Sequence, residues 1–476
     1  MKKALLTTVV ALASLGAMAQ ETEEKNVDAK TGATEQVSKQ ESKKDKLTNA
    51  LSRLHIGGYG EAVMTRNFYS QSFNRYKQPE LSANDKSHGR FDLPHICLNI
   101  GYDFGKGWSM GSEIEYEHGG TGSAVEIEAE EAGEYEAEVE KGGEVNIEQF
   151  WINKEFLRGK LNVRAGEIIV PVGYSNAYHE PNQFFTVYRP EGEATIMPNT
   201  WHQMGLSVWG RLKDWRYEAQ LLSGLNSESF RAESFAHYGA TSPYEFKVAN
   251  NYAAAVRVDN YSVKGLRVGL SGYYGYCFRN TLRTPGTKYE DVKGALGIIA
   301  LDFTLNRWNW IVRGNVDYAY FSDADIISAY NQANWTHHKY QDGNPHHYSN
   351  IGSNAVAYGI EAGYDIFSAI SNWLLAVGQE PKTKDQKLFL FGRFEHYNTM
   401  ASGSYESMYK YTKKYRWALG VNYSPIKQIT IKGEYSYRFF EKPNNNGLTS
   451  DSPLYKQPYN NEPSISLGIT YTGWFL

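Results

Sequence analysis

From residue 54 to the C-terminus, apolar and polar residues alternate in short runs separated by polar, Gly-rich links. A period of two is the mark of strands with a different environment on each face. The last run shows it most plainly. Ile465, Leu467, Ile469, Tyr471 and Phe475 share one face, and Ser464, Ser466, Gly468, Thr470 and Thr472 share the other. An apolar face against a small polar one, ending at a terminal aromatic, is the pattern of the closing strand of a membrane barrel. Runs of this kind start near His55, Phe91, Trp108, Val145, Leu161, Trp201, Trp215, Tyr252, Leu266, Ala295, Asn309, Ala355, Leu388, Arg416, Ile429 and Ser464. That is about sixteen, an even number as bacterial single-chain barrels have.

The links alternate in length. Short ones lie at 104–107, 158–160, 213–214, 262–265, 306–307 and 424–427. Long polar ones lie at about 65–90, 118–144, 174–200, 224–249, 278–293, 322–352, 399–413 and 441–462. This sorting predicts an all-β fold: a transmembrane antiparallel β-barrel of about 16 strands, with long extracellular loops and short periplasmic turns. A soluble β-sandwich does not sort its links this way. One link breaks the rule. Residues 368–387 should be a short turn but carry Trp373-Leu-Leu-Ala-Val377, which leaves a small periplasmic helix and a plug element both open.

Upstream, Met1-Lys2-Lys3 precedes an apolar stretch, Ala4 to Gly16, and the small-residue site Ala17-Met18-Ala19. This is too short to span a bilayer and fits a signal peptide, 1–19, cleaved before Gln20. Residues 20–53 read as a polar periplasmic lead-in. The spacing of Leu47, Ala50, Leu51 and Leu54 leaves a short helix or a mere turn at its end. The barrel then occupies 54–476.

Composition sharpens the picture at a few points. The mean hydropathy of −0.55 would suggest a soluble secreted protein, but barrel strands give a weak signal per segment. The 36 Tyr and 11 Trp suit the water–lipid boundary, where one end of the ring is apolar and the other hydrogen-bonds. A net charge of −4 gives no basic excess for nucleic acid. Cys97 and Cys277 are too few for a disulfide scaffold.

With the apolar faces turned to lipid, the other faces line the lumen, and sixteen strands leave room for water there. Alternation turns Arg164, Arg211, Arg216, Arg257, Arg267, Arg313, Arg393, Arg416, Lys432 and Arg438 inward. It does the same for Glu61, Glu113, Glu115, Glu218, Asp259, Asp302, Asp317, Glu361, Asp365, Glu395 and Glu434. Arg211, Arg216, Arg257 and Arg267 flank short turns, which places them at the periplasmic mouth. Arg164, Arg313, Arg393 and Lys432, with Glu113, Glu361 and Glu434, fall nearer mid-strand as pore-lining groups. Opposed walls of charge would select ions; pairing along one wall would only stiffen it. The third long loop, from Pro171 to Trp201, carries Phe184, Phe185, Val187, Tyr188, Ile196 and Met197. Folding into the lumen would shelter them and put Arg189, Glu191 and Glu193 at a constriction; covering a neighbouring subunit is the competing arrangement.

Signals for chemistry are weak, so no catalytic residue, metal ligand or cofactor is assigned. His179-Glu180-Pro181 lacks the second His of a zinc helix, and no phosphate loop or G-x-S-x-G elbow occurs. His337, His338, His346 and His347 share a loop with Asp342, where a solvated loop is the plainer reading than a metal site. The acidic segment 125–144 alternates carboxylates with apolar residues around Gly133, as a hairpin prolonged beyond the membrane would, and matches no calcium-loop spacing.

Glu148-Gln-Phe-Trp-Ile-Asn153, Val163-Arg-Ala-Gly-Glu-Ile-Ile-Val-Pro-Val-Gly173, Tyr188-Arg-Pro190 and Gly205-Leu-Ser-Val-Trp-Gly210 together resemble the phosphate-selective porin O and P family, in its Bacteroidetes-type form. The resemblance extends loosely over 54–476. It implies a sixteen-stranded, often trimeric barrel with the third loop folded inward. It also implies an arginine ladder and lysine clusters that select phosphate, with Arg164 matching the arginine of the R-x-G-x-x-x-x-P stretch. The inward acids and the acidic loop depart from such an anion funnel. The expectation is an outer-membrane porin, a homotrimer in outer-membrane lipid of a Gram-negative cell. It would pass small hydrophilic solutes or ions, anions such as phosphate among them. The alternative is a receptor or structural barrel with a closed lumen.

Overall fold

The computed structural model describes residues 48–70, 74–77, 88–118, 124–129, 135–142, 145–242, 246–282, 285–334, 350–381, 386–441 and 460–476. The expected signal peptide, nearly all of the expected lead-in and the histidine pairs at 337–347 lie outside them. Residues 48–51 form one helical turn directly before the first strand.

The strands in chain order are β1 (Leu54–Asn67), β2 (His88–Asp92), β3 (His95–Gly105), β4 (Trp108–Glu117), β5 (Ala124–Ala129), β6 (Tyr135–Gly142) and β7 (Val145–Phe156). They continue as β8 (Leu161–Ile169), β9 (His202–Leu212), β10 (Trp215–Ser223), β11 (Tyr252–Asn260), β12 (Leu266–Tyr276) and β13 (Ala295–Arg307). The last six are β14 (Trp310–Phe321), β15 (Asn354–Asp365), β16 (Lys387–Ser402), β17 (Lys413–Ile426), β18 (Ile429–Phe440) and β19 (Asn461–Trp474).

All but β5 and β6 form one antiparallel sheet in which successive strands pair, except that β2 and β3 both pair with β1 rather than with each other. β1 then pairs with β19, from Gly57↔Trp474 to Asn67↔Ser464, and closes the ring. Closure pairs the first strand with the last, so the ring has no open end, as strands in lipid require. β2 and β3 occupy a single place in the wall: β2 faces Val63 to Asn67 of β1, and β3 faces Leu54 to Gly60. Between them stand Leu93 and Pro94, and proline has no N–H to give the ladder. The barrel therefore has sixteen wall positions. β5 and β6 form the acidic hairpin as a separate two-stranded sheet.

The outer face is apolar all round. In β19, Ile465, Leu467 and Ile469 are 42%, 54% and 50% exposed while Ser466 and Thr470 on the alternate face are buried. Val256, Leu270, Ile299, Val316, Ile360, Leu419 and Ile431 continue the band on other strands. Trp108, Trp215, Trp308, Trp310, Trp474 and Phe475 are exposed toward the end with short turns, and Tyr116, Tyr252, Tyr274 and Tyr320 toward the end with long loops. One of the two-residue turns joins β13 to β14, where Trp308 and Asn309 both have positive φ, as a tight hairpin loop of this kind requires. The irregular link after β15 is a helix, Ile366–Ala376, capped by the Asp365 side chain, which accepts from the Ser368 N–H at 3.2 Å. Its Ile370, Trp373 and Leu375 are exposed, so it plugs nothing.

Candidate functional site

The third long loop, 170–201 between β8 and β9, turns into the barrel. Gly173 makes the entry at φ 82°. A Cβ there would stand 2.8 Å from Glu193 Oε1, and the Gly173 N–H donates to Ser271 Oγ at 3.0 Å. Glu193 ties the loop to itself, accepting from the N–H groups of Tyr174 and Ser175 at 2.7 and 2.6 Å. The strands then hold the loop by its backbone. Lys432 Nζ donates to the carbonyls of Pro181, Phe184 and Thr186 at 2.6, 3.1 and 2.9 Å. Glu434 accepts from the Val187 N–H at 2.7 Å, Glu361 from Phe185 at 3.3 Å and Glu395 from Gly192 at 3.2 Å. Asn422 Nδ2 donates to the Phe185 carbonyl at 2.9 Å. Arg257 NH1 donates to the carbonyls of Pro171 and Gly173 at 3.3 and 3.1 Å. Each is a charged or polar wall group meeting a backbone group that the loop would otherwise bury unpaired.

The charges also pair with one another along the wall. Arg313 and Glu361 meet at 2.6 Å, Glu361 and Arg393 at 3.3 Å, Arg393 and Glu395 at 3.1 Å, and Glu395 and Arg416 at 3.0 Å; Arg416 then bonds Glu434. Across β10 to β13 a second network joins Arg216 to Glu218, and Arg257 and Arg267 to both Asp259 and Asp302. Pairing along the wall is thus the observed arrangement, rather than cations and anions on opposed walls.

Open space remains above the loop. A cavity of about 450 Å³ is lined by Glu61, Arg75, His95, Arg189, Glu191, Lys414 and Arg438 among others. A second, of about 360 Å³, shares Arg75, Arg90, Tyr188, Glu191 and Arg438 with it. Glu191 stands between the loop and the wall: Arg416 Nε lies 3.1 Å and Arg438 NH1 3.0 Å from its oxygens, and Tyr397 OH donates at 2.9 Å. Burial works against its charge, but Arg438 and Arg416 prevail and hold the carboxyl down at about 2. Glu180, lower in the loop, goes the other way: burial outweighs His179 nearby and pushes it up to about 7.

The residues singled out by alternation do face inward, but few meet open space. Arg313, Arg393, Lys432, Glu113, Glu361 and Glu434 are all buried, because the loop covers them. Arg164 stacks between Trp151 and Trp209, its guanidinium 4.7 and 5.1 Å from the two rings. At the turn end, Arg257 is 0% exposed and lies under the loop, not at a mouth. Arg216 and Arg267 are buried in the same acid-paired network, and only Arg211, stacked on Tyr261 at 5.3 Å, is half-exposed. Arg189 and Glu191 line the cavity, but Glu193 turns back into the loop. Distance to a turn gives height along the wall and carries no information on what the loop covers. Arg75 and Lys414, in the cavity wall, went unmarked because they sit in or beside long loops where alternation stops. Cys97 and Cys277 are buried free thiols.

No family model matches the chain. A protein of Aquifex aeolicus (strain VF5), described only as uncharacterized, is 27% identical over 404 residues, covering 82% of this chain and 77% of that one. Among solved structures, the barrel is similar to the high-pH form of OprB from Pseudomonas putida, at a TM-score of 0.48 and 12% identity, over 90% of this chain and 96% of that one. It is similar to the outer membrane channel DcaP of Acinetobacter baumannii, at 0.47 and 10%, over 88% and 97%. It is also similar to an anion-selective porin from Comamonas acidovorans, at 0.46 and 11%, over 88% and 99%. The fold defines the class as a closed antiparallel barrel of sixteen wall positions with a loop folded inside.

Proposed function

We propose that the protein is an outer-membrane porin passing small hydrophilic solutes by diffusion, with the 170–201 loop as its constriction. The observation that carries this is the combination of an unbroken apolar exterior with a lumen whose wall charges bind the loop's backbone. Lipid outside and water within the vestibule are the environments those two faces suit. The cavity presents Arg75, Arg189 and Arg438 beside Glu61 and Glu191, so size governs passage and charge selectivity is weak. Phosphate selectivity is the narrower reading, supported by the family resemblance and by the number of inward arginines. A homotrimer rests on the same resemblance, and size-exclusion chromatography with light scattering tests it. A closed lumen is the second reading, favoured by the burial of Tyr174, Tyr178, Phe184, Phe185 and Val187 in the loop.

Swelling of proteoliposomes in neutral sugars of increasing size separates the two readings. Graded permeation that falls off with size supports the porin. No swelling in any sugar, from protein that migrates as a folded barrel, supports the closed lumen. The reversal potential in a KCl gradient, with phosphate titrated in, then decides selectivity.

A further inference from the structure

Opposite the wall that anchors the loop, β3, β4 and β7 turn an acidic cluster into the lumen. Cys97 pairs with Glu115 and Asn99 with Glu113 across β3 and β4. On β7, Glu113 lies opposite Gln149 but Ile114 lies opposite Ile147, so Glu148 is an extra residue in the ladder. A bulge of this kind re-aims a side chain. Glu148 and Gln149 are both buried, at 1% and 4% exposed, while Ile147 and Phe150 on either side are 58% and 51% exposed. Counted forward from Ile147, alternation would turn Gln149 outward; counted back from Phe150, it would turn Glu148 outward. The bulge instead adds it to a cluster that is already acidic.

The result is a compact set of donors with too few counter-charges. The Cys97 thiol and the carboxylates of Glu113 and Glu148 lie within 4.8 Å of one another. Among the described residues, no group donates to either oxygen of Glu148 or to Glu113 Oε1. The Glu115 and Glu113 carboxyls both act against a charge on Glu148, and the Arg189 guanidinium offsets them only in part. Glu113 Oε2 takes the Gln149 amide, and His179 Nε2 stands 3.7 Å from its other oxygen. Glu115 continues the set outward, 3.8 Å from Cys97 Sγ and 2.5 Å from His95 Nδ1. His95 lines the larger cavity, so the cluster opens toward solvent on that side. Buried carboxylates without donors are costly unless a cation pairs with them.

We propose that Cys97, Glu113 and Glu148 form a binding site for a divalent transition-metal cation of the zinc class, with Glu115 and His95 beside it at the approach. A thiolate with carboxylates and a nearby imidazole suits a borderline metal; calcium or magnesium would call for oxygen donors alone. No sequence motif marks the site because its ligands come from three strands, and one of them sits at the bulge.

The test uses the full protein, folded in detergent and stripped with a chelator, together with Glu148→Gln and Cys97→Ser. Heat-modifiable migration in gels verifies that each variant remains a barrel. Zinc is measured by equilibrium dialysis, and Co²⁺ serves as the spectroscopic probe. The expected result is one zinc per wild-type chain beyond what either variant retains, with Glu148→Gln weakening it by about tenfold or more. A thiolate-to-cobalt charge-transfer band should appear in the wild type and vanish in Cys97→Ser. The histidines at 337, 338, 346 and 347 give a background that all three proteins share. Equal zinc binding in all three, or no thiolate band in the wild type, overturns the proposal.

Discussion

The ammonium group of Lys432 in β18 donates to the carbonyl of Pro181 at 2.6 Å, across 251 residues of sequence. With its bonds to Phe184 and Thr186, this one side chain fixes a turn of the inserted loop to the barrel wall. Replacing it by methionine keeps much of the volume but leaves three carbonyls without their donor. A loss of roughly 2–4 kcal/mol of local stability follows from unmet buried acceptors. Lys432→Met should therefore expose the 181–188 segment to limited proteolysis that the wild type resists, with the barrel itself intact. Equal resistance in both proteins would show that the loop is held some other way.

Gly363 offers a steric test of the same contact. A Cβ at this position would lie 2.3 Å from a ring carbon of Phe185, which stacks on Phe391 at 5.5 Å and lies under the Arg313 guanidinium at 4.7 Å. Gly363→Val should push Phe185 and its loop off the wall. Sugar permeation in proteoliposomes should rise several-fold, most for the larger sugars, while heat-modifiability persists. Unchanged permeation would place the size filter elsewhere.

Glu191 gives a pH dependence with a definite sign. Its carboxyl sits at about 2 in the folded protein, below the roughly 4.3 of an unperturbed glutamate. A depressed carboxyl stabilises fully above the unfolded value and loses that contribution as pH falls through the folded one. The anchor to Arg416 and Arg438 should therefore weaken between about pH 4.3 and pH 2. The stability gap between wild type and Glu191→Gln, measured by thermal unfolding in detergent, should shrink over this window and stay flat from pH 5 to 7. A gap that grows on acidification contradicts the assignment.

The outer face is testable by one substitution. Leu467 is 54% exposed in the apolar band, and Ser466 beside it bonds Thr65 within the lumen at 2.9 Å. An arginine on a lipid-facing strand position costs about 2–4 kcal/mol near mid-membrane. Leu467→Arg should lower the stability of the bilayer-inserted barrel by that order in denaturant titrations. No change would mean that this face does not meet lipid.

Much of this architecture was legible because a strand's period is two and one face here is uniformly apolar. The run beginning near Ser464 and the β19 observed differ by three residues, and the runs near Trp108, Val145, Leu161 and Trp215 begin where the strands do. The failures lie where alternation ceases to be the governing rule. Pro94 splits one wall position into β2 and β3, and a bulge turns both Glu148 and Gln149 inward, where alternation allows only one of two adjacent residues. Arg257 and Lys432 were placed on the correct face, yet what covers them is a loop some 80 to 250 residues away in sequence. Periodicity records facing and says nothing of such distant contacts. Glu193 fails for the same reason: its partners, Tyr174 and Ser175, come from the loop's own folding.

The most direct test of the account is single-channel conductance in a planar bilayer, wild type beside Gly363→Val. The account predicts stable ohmic steps from the wild type, and larger steps once Phe185 no longer holds the loop against the wall. Folded, heat-modifiable barrels that give no steps in either form would contradict it and leave a closed lumen as the reading.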